Sequence, residues 1–422
     1  MRRIAILGGL GLIFVGDPAI GQEVDRGKAE ATAAGQAAEA DRLYKLGEWG
    51  PAMALYEAER ASRAALGDLR YEAYALRAIG LCRAELGVDD AAIESLRQAH
   101  RIDLKRDDPG YAGFDLFLIA QAELRLDRAP DAVKTLGEAL PLLSQAVDRD
   151  HEADARLSLV RALVGLGRVE EARPHAKRAI ALAEDLNDAW RLADAWASSG
   201  QVEGSLGRPS LALERFADAR ELFEQQGRAA EAAWMETVSG STLLLLGRPD
   251  LALARYEEAA RLHDHLDDGG SLSEDLAAVA GLQLDANKLP EALKAATLAV
   301  EKAQEADDRP REVEARVRLA QVQGRQGDWT TAAATLDEAV GLIRQVARDD
   351  PAEQIRLLLT AADVDRRAKL GAKSTARLDA AKRLAEESNR TDLQGIVEEA
   401  RLRIEGGEGV PNLPGPDRTP KN

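Results

Sequence analysis

One repeating register governs almost the whole chain. Alanine stands at positions 52, 92, 132, 172, 212, 252, 292 and 332, each 40 from the last. Five residues before each alanine comes Gly47, Gly87, Asp127, Gly167, Gly207, Gly247, Asn287 or Gly327. Gly, Asn and Asp best tolerate the left-handed backbone that ends a helix, and no bulky or β-branched residue enters this column. Leu46, Leu86, Leu126, Leu166, Leu206 and Leu246 precede the turn. Seven residues after the alanine column stands a second one at 99, 139, 179, 219, 259, 299 and 339, broken only by Glu59.

These columns define a unit of helix, tight turn, helix. Pro51, Pro130, Pro209, Pro249 and Pro290 fall in the first turn of the second helix, where a missing N–H costs little. Asp68, Asp108, Asp148, Asp188, Asp268 and Asp308 close the second helix and can cap the next by accepting its free N–H groups. Apolar residues between the caps follow helical spacing, as in Ile79, Leu86, Ile93 and Leu96. No segment alternates like a strand, so the predicted fold class is all-α with essentially no strand.

The pattern resembles the tetratricopeptide repeat. The residues that carry the likeness are the turn glycine, the alanine five later, then Tyr56, Leu96, Leu136, Phe216, Tyr256 or Leu336, and the alanine three beyond. The family implies an α-solenoid, a right-handed superhelix whose first helices line a concave side. This chain departs from the common form in three ways. Its unit is longer than the common one, only Trp196 matches the first-helix tryptophan, and aspartate replaces the closing proline. Longer units of this kind resemble those of kinesin light chain, cell-polarity adaptors and bacterial peptide-pheromone receptors. HEAT-like repeats share the length but lack the Gly-to-Ala signature.

The predicted organisation is a signal peptide over 1–21, a linker over 22–28, a repeat domain over 29–406 and a disordered tail over 407–422. Arg2 and Arg3, an uncharged run from Ile4 to Gly16 and Ala19-Ile20-Gly21 make the signal pattern, which predicts an exported protein, periplasmic or extracellular. The run is too short to span a bilayer, so no stable membrane span is expected once it is removed. The repeat domain holds eight clear units and a degenerate ninth, whose turn Leu370-Gly371 comes four residues late and puts Ala376 in the alanine column. A helix near Leu393–Ile404 caps the stack.

The chemistry is sparse. A single cysteine among 422 residues rules out an internal disulfide framework, and Cys82 falls in a small apolar column that reads as buried and inert. The net charge of −17 argues against nucleic acid as a partner. Aromatic residues are only 4%, few for an enzyme pocket, and no nucleotide-loop, metalloprotease or serine-hydrolase motif is present after the leader. His263, Asp264, His265, Asp267 and Asp268 form the densest ligand-like cluster, but histidines two apart do not share a helix face. It reads as a solvated helix end, with no metal and no cofactor expected.

Two sets of positions could bind a partner. The column Asp41, Leu81, Gln121, Arg161, Gln201, Ser241, Gly281 and Gln321 is polar between core columns. In the longer-repeat relatives an amide ladder here holds an extended peptide, so the resemblance assigns Gln121, Arg161, Gln201, Ser241 and Gln321 to a partial ladder; the plain alternative is a wet surface. Tyr71, Tyr74, Tyr111, Phe114 and Phe117 gather on two successive first helices. Tyr74, Phe114 and Phe117 are either partner anchors or ordinary repeat packing. The basic pattern that grips a chaperone's C-terminus is absent from Ala37, Asp41, Arg77 and Leu81. The function expected is a non-enzymatic scaffold or receptor for a protein or peptide. The second reading is a cell-envelope assembly or accessory factor that docks by a large surface to a separate catalytic or membrane protein.

Overall fold

A computed structural model describes residues 18–347 and 350–409. These residues divide into two compact units, one ending at Ala162 and the other starting at Leu163. The first unit holds α1 (Pro18–Lys45), α2 (Trp49–Leu66), α3 (Leu69–Glu85), α4 (Asp89–Lys105), α5 (Pro109–Arg125), α6 (Ala129–Gln145) and most of α7 (Arg149–Gly165). The second holds α8 (Val169–Leu186), α9 (Ala189–Ser205), α10 (Pro209–Gln225), α11 (Ala229–Leu245), α12 (Pro249–His265) and α13 (Gly269–Asp285). It continues through α14 (Leu289–Glu305), α15 (Arg309–Arg325), α16 (Trp329–Val346), α17 (Pro351–Arg367), α18 (Gly371–Glu387) and α19 (Thr391–Glu405). Within each unit, helices adjacent in sequence pack on one another, and no strand occurs among the described residues. The architecture is an all-α helical solenoid.

The helix ends follow the predicted chemistry. All eight residues of the Gly/Asn/Asp column adopt positive φ, from 57° at Asp127 to 87° at Gly327. The chain leaves the first helix through a paired closure: Gly87 N–H donates to the Ala84 carbonyl at 3.0 Å and Val88 N–H to the Arg83 carbonyl at 2.9 Å. Asp68, Asp108, Asp148, Asp188, Asp268 and Asp308 all cap the following helix by accepting a backbone N–H three residues on. A second left-handed column sits midway between the first, at Gly67, Asp107, Val147, Asn187, Gly227, Asp267 and Asp307. The backbone period is therefore one helix and one turn, half the sequence repeat, and the alternation of side chains doubles it.

Packing rests on small residues. The eight alanines from Ala52 to Ala332 are each 0% exposed, as are the seven from Ala99 to Ala339. A large residue four after the first alanine, as at Leu96, Phe216 and Tyr256, lies against a small one on the preceding helix. A Cβ on Gly200 would stand 2.5 Å from the Phe216 ring, one on Gly240 2.9 Å from Tyr256, and one on Gly80 2.7 Å from Leu96. At these three contacts a large side chain fills the space its small neighbour leaves, as close packing demands.

Three parts of the sequence reading change. Residues 22–28, read as a linker, are helical and belong to α1. In the ninth unit the left-handed residue is Lys369, with φ 62°, and Gly371 opens the next helix. The turn is thus two residues late rather than four, and buried Ser374 takes the alanine column while Ala376 is exposed. Glycine at a helix start and glycine at a helix end are alike in sequence, which misplaced the turn. The described residues also split into two units where one elongated domain was expected. Helix α19 caps the last apolar face with Leu393, Val397, Ala400 and Ile404. Most of the signal segment, residues 1–17, and most of the tail, residues 410–422, lie outside the described residues.

Two positions carry strain that the repeat does not require. Val147 holds φ 57° with a β-branched side chain, which clashes with its own backbone there. Val147→Gly is expected to stabilise the chain by about 1 kcal/mol, seen as a higher urea midpoint. Glu59, in the alanine column, is 0% exposed, and neither carboxylate oxygen finds a hydrogen bond among the described residues. Its nearest cation is Arg63 Nε at 3.5 Å, and Asp41 and Asp68 add like charge. Burial pushes the Glu59 carboxyl up to about 7 from its ordinary 4.5. The folded state therefore binds this proton more tightly than the unfolded one, and stability falls as pH rises from about 4.5 to about 7. Glu59→Ala restores the small-residue column, and Arg63 keeps Asp68 as its partner at 3.2 Å. The thermal midpoint of Glu59→Ala should exceed wild type at pH 8, with the gain shrinking toward pH 5; a gain independent of pH would contradict this account.

Candidate peptide-binding groove

In the first unit the aromatic cluster is largely committed to internal contacts. The Tyr74 hydroxyl donates to Asp41 at 2.8 Å, and its ring meets Tyr56 edge-on at 6.4 Å. Phe114 lies over Phe117 at 6.2 Å and against the His151 ring at 4.2 Å. Tyr71 and Tyr111 are more exposed and carry the guanidinium groups of Arg63 and Arg77 on their faces. Arg77 is buried and bridges two buried carboxylates, Asp103 and Asp115, at 2.5 Å each. Burial pushes Asp115 up to about 7, against the pull of Arg77.

The ladder residues occupy separate environments. In the first unit Gln121 Nε2 donates to the Ser158 hydroxyl of α7 at 2.8 Å, while Arg161 is exposed. In the second unit Gln201 is half-buried, and Ser241 donates to the Val238 carbonyl of its own helix at 2.9 Å. Gln321 accepts a hydrogen bond from Arg318 at 2.9 Å and lines a cavity of about 420 Å³ between α13, α15 and α17.

This cavity opens on the first-helix face of the second unit. Ala277, Ala278, Val313, Val317 and Leu357 form its apolar wall. Glu274, Glu314, Glu353, Arg318 and Arg356 place charge around it. Glu274 is neutralised by Arg311 at 3.2 Å. Glu314 keeps much of its surface exposed, but the part of its carboxyl set into the cavity is desolvated, which raises its pKa, helped by repulsion from Glu274 and Glu353. Arg318 and Arg356 have no carboxylate within ion-pair distance among the described residues. Burial lowers the pKa of Arg318 from its ordinary range, with Asp285 opposing. Gly281 makes the room: a Cβ there would stand 3.0 Å from the Arg318 guanidinium carbon. The glycine that interrupts the polar column is thus the bed on which Arg318 lies.

The remaining candidates resolve simply. Cys82 is fully buried, and burial pushes its thiol up to about 11. His265 is on the exposed helix end, but His263 turns inward and pairs with Asp275 at 2.7 Å, itself bonded by Thr237 at 2.7 Å. The solvated reading thus fails for His263. No cluster of three metal-ligating side chains occurs among the described residues, and none of their helices is long and apolar enough to cross a membrane.

No family model and no curated protein matches the sequence. Solved structures do. The signal transduction ATPase with numerous domains and a tetratricopeptide repeat sensor from Pyrococcus horikoshii superposes at TM-score 0.56 and 16% identity, over 82% of this chain. The match spans 55% of that protein's length. A Rap protein complexed with competence and sporulation factor superposes at TM-score 0.51 and 15% identity, over 88% of this chain and 100% of its own. The apo form of RapI does so at 0.50 and 14%, over 70% and 99%. The fold is a tetratricopeptide-repeat solenoid. These identities establish the architecture alone.

The tetratricopeptide register explains why Arg318 escapes a reading of the sequence. Glu314 lies four residues earlier on the same helix, so the pair looks like a surface ion pair. The arginine turns to Gly281 instead, across a gap of nearly one repeat. The signal available was the glycine itself, alone in a column of larger residues. In the first unit, Arg77→Met would leave Asp103 with only Arg106 and Asp115 with no cation. Chemical denaturation should show a loss of about 3–5 kcal/mol at pH 8, smaller near pH 5 where the pair can hold a proton.

Proposed function

We propose that the chain is a non-enzymatic scaffold or receptor that holds a peptide or protein segment against its first-helix face. The observation that carries this is the groove over α13, α15 and α17, with an apolar wall, an exposed amide at Gln321 and two guanidinium groups lacking carboxylate partners. Such a site is preorganised, because each wall residue projects from a helix fixed by packed alanines, so little ordering cost falls on the receptor. The Rap structure of the same fold, which is complexed with competence and sporulation factor, supports the reading by analogy. The second reading, docking by a larger surface, is favoured by Leu245 at 74% exposure beside Leu246 and Leu251 in the second unit.

Selection of peptides from a random display library on the full chain tests the two readings. Groove binding predicts that Ala277→Arg, which fills the cavity without removing a contact, weakens selected peptides by about tenfold or more at unchanged helicity. Binding that survives Ala277→Arg but falls with Leu245→Ser would move the function to the leucine surface.

A further inference from the structure

The groove in the second unit has a feature that peptide-backbone capture does not need. Arg318 is a half-buried guanidinium whose sole described hydrogen bond is to a neutral amide, Gln321 Oε1 at 2.9 Å. A half-buried guanidinium gains from a carboxylate partner, and its neighbours on the same helix have one. Arg311 pairs with both Glu274 and Asp308, and Arg316 with both Glu312 and Glu338. Arg318 has Glu314 one turn away and does not use it. Its fork lies instead over Gly281, on the wall of the cavity, beside the second unpaired guanidinium of Arg356.

We propose that Arg318, seated on Gly281, is a subsite for a single carboxylate carried by the bound segment next to an apolar side chain. This rests on the reading of the groove as a peptide-binding face. The planar fork of an arginine can take both oxygens of a carboxylate. The apolar neighbour lies against Val317 and Leu357, which line the same cavity. Glu314 and Glu353 set the limit on charge: they line the cavity too, so a segment with several acidic groups is repelled while one carboxylate is accepted. Gly281 is the positioning element. Any larger residue would move the guanidinium without altering its charge.

The test uses the full chain and three small probes: N-acetylleucine, its amide, and N-acetylglutamic acid α-amide. Binding is followed by the guanidinium N–H resonance that disappears in Arg318→Gln. The expected result is saturable binding of the two acids and none of the leucine amide. Tighter binding of N-acetylleucine assigns a chain terminus to the subsite; tighter binding of the glutamate probe assigns a side chain. Both Arg318→Gln and Gly281→Ala should weaken the acids by about tenfold or more, with circular dichroism unchanged. Equal binding of N-acetylleucine and its amide, or wild-type affinity in Arg318→Gln, would overturn the proposal. Peptides selected by display that bind this groove with no dependence on Arg318 would leave the scaffold reading standing and remove only the subsite. Loss of display binding altogether would remove both.

Discussion

The structure depends on how closely two helices approach at the alanine columns. With no side chain beyond Cβ on either column, neighbouring helices can approach closely, and the large residue between the columns has to fit a defined space. Phe216 and Tyr256 fit because Gly200 and Gly240 face them, and at the equivalent positions buried Leu136 goes with buried Ala120. The constraint acts on pairs of positions rather than on single residues. It explains why the large side chains at one position range from leucine to tyrosine while the backbone repeats with every helix and turn. It also explains why aromatic residues are few: a stack held by alanine contact has little space for them outside these compensated sites.

The same frame isolates its polar exceptions. Two buried polar sets stand at equivalent positions, four repeats apart: Arg77, Asp103 and Asp115 in the first unit, and Thr237, His263 and Asp275 in the second. Each joins a first helix, the end of the second helix and the start of the next first helix. Other repeats hold small or apolar residues there, such as Ala155, Ala195, Leu143 and Phe223, apart from the buried Arg63 one repeat before Asp103. A directional contact at these junctions fixes the relative rotation of successive helix pairs more narrowly than alanine contact does. Glu59 differs from both sets. It occupies a small-residue position with no designed partner, so its carboxylate is an expense rather than a register device.

Much of the fold was legible because the turn chemistry is local. A left-handed residue must be Gly, Asn or Asp in nearly every case, and eight turns could be read from residue type alone. The intermediate turns were hidden by variety: Gly67, Asp107, Val147 and Asn187 share a conformation but not a chemistry. The ninth turn was misread because Lys369 occupies the left-handed site and Gly371 stands nearby. The groove was legible only as a polar column. Gln321 could be placed on the right face, but the feature that gives the site its charge depends on where Arg318 points. That direction is set by the absence of a side chain at Gly281, on a different helix.

This dependence carries a physical consequence for specificity. In a solenoid of this kind the backbone of each first helix is held by packing on its far side, so a groove residue can change without disturbing the core. The polar column shows the freedom: glutamine, serine, arginine, leucine and glycine all occupy it. Arg318 and Gly281 meet across two first helices, so a side chain at Gly281 would shift the guanidinium. Such a pair on a surface that otherwise varies freely is what a demand for one ligand chemistry would produce. Core packing makes no such demand there, since the guanidinium gains only one neutral hydrogen bond from the protein. The groove thus separates into a permissive part, where helix packing alone decides, and a small charged part around Arg318, where no carboxylate of the protein comes within ion-pair distance.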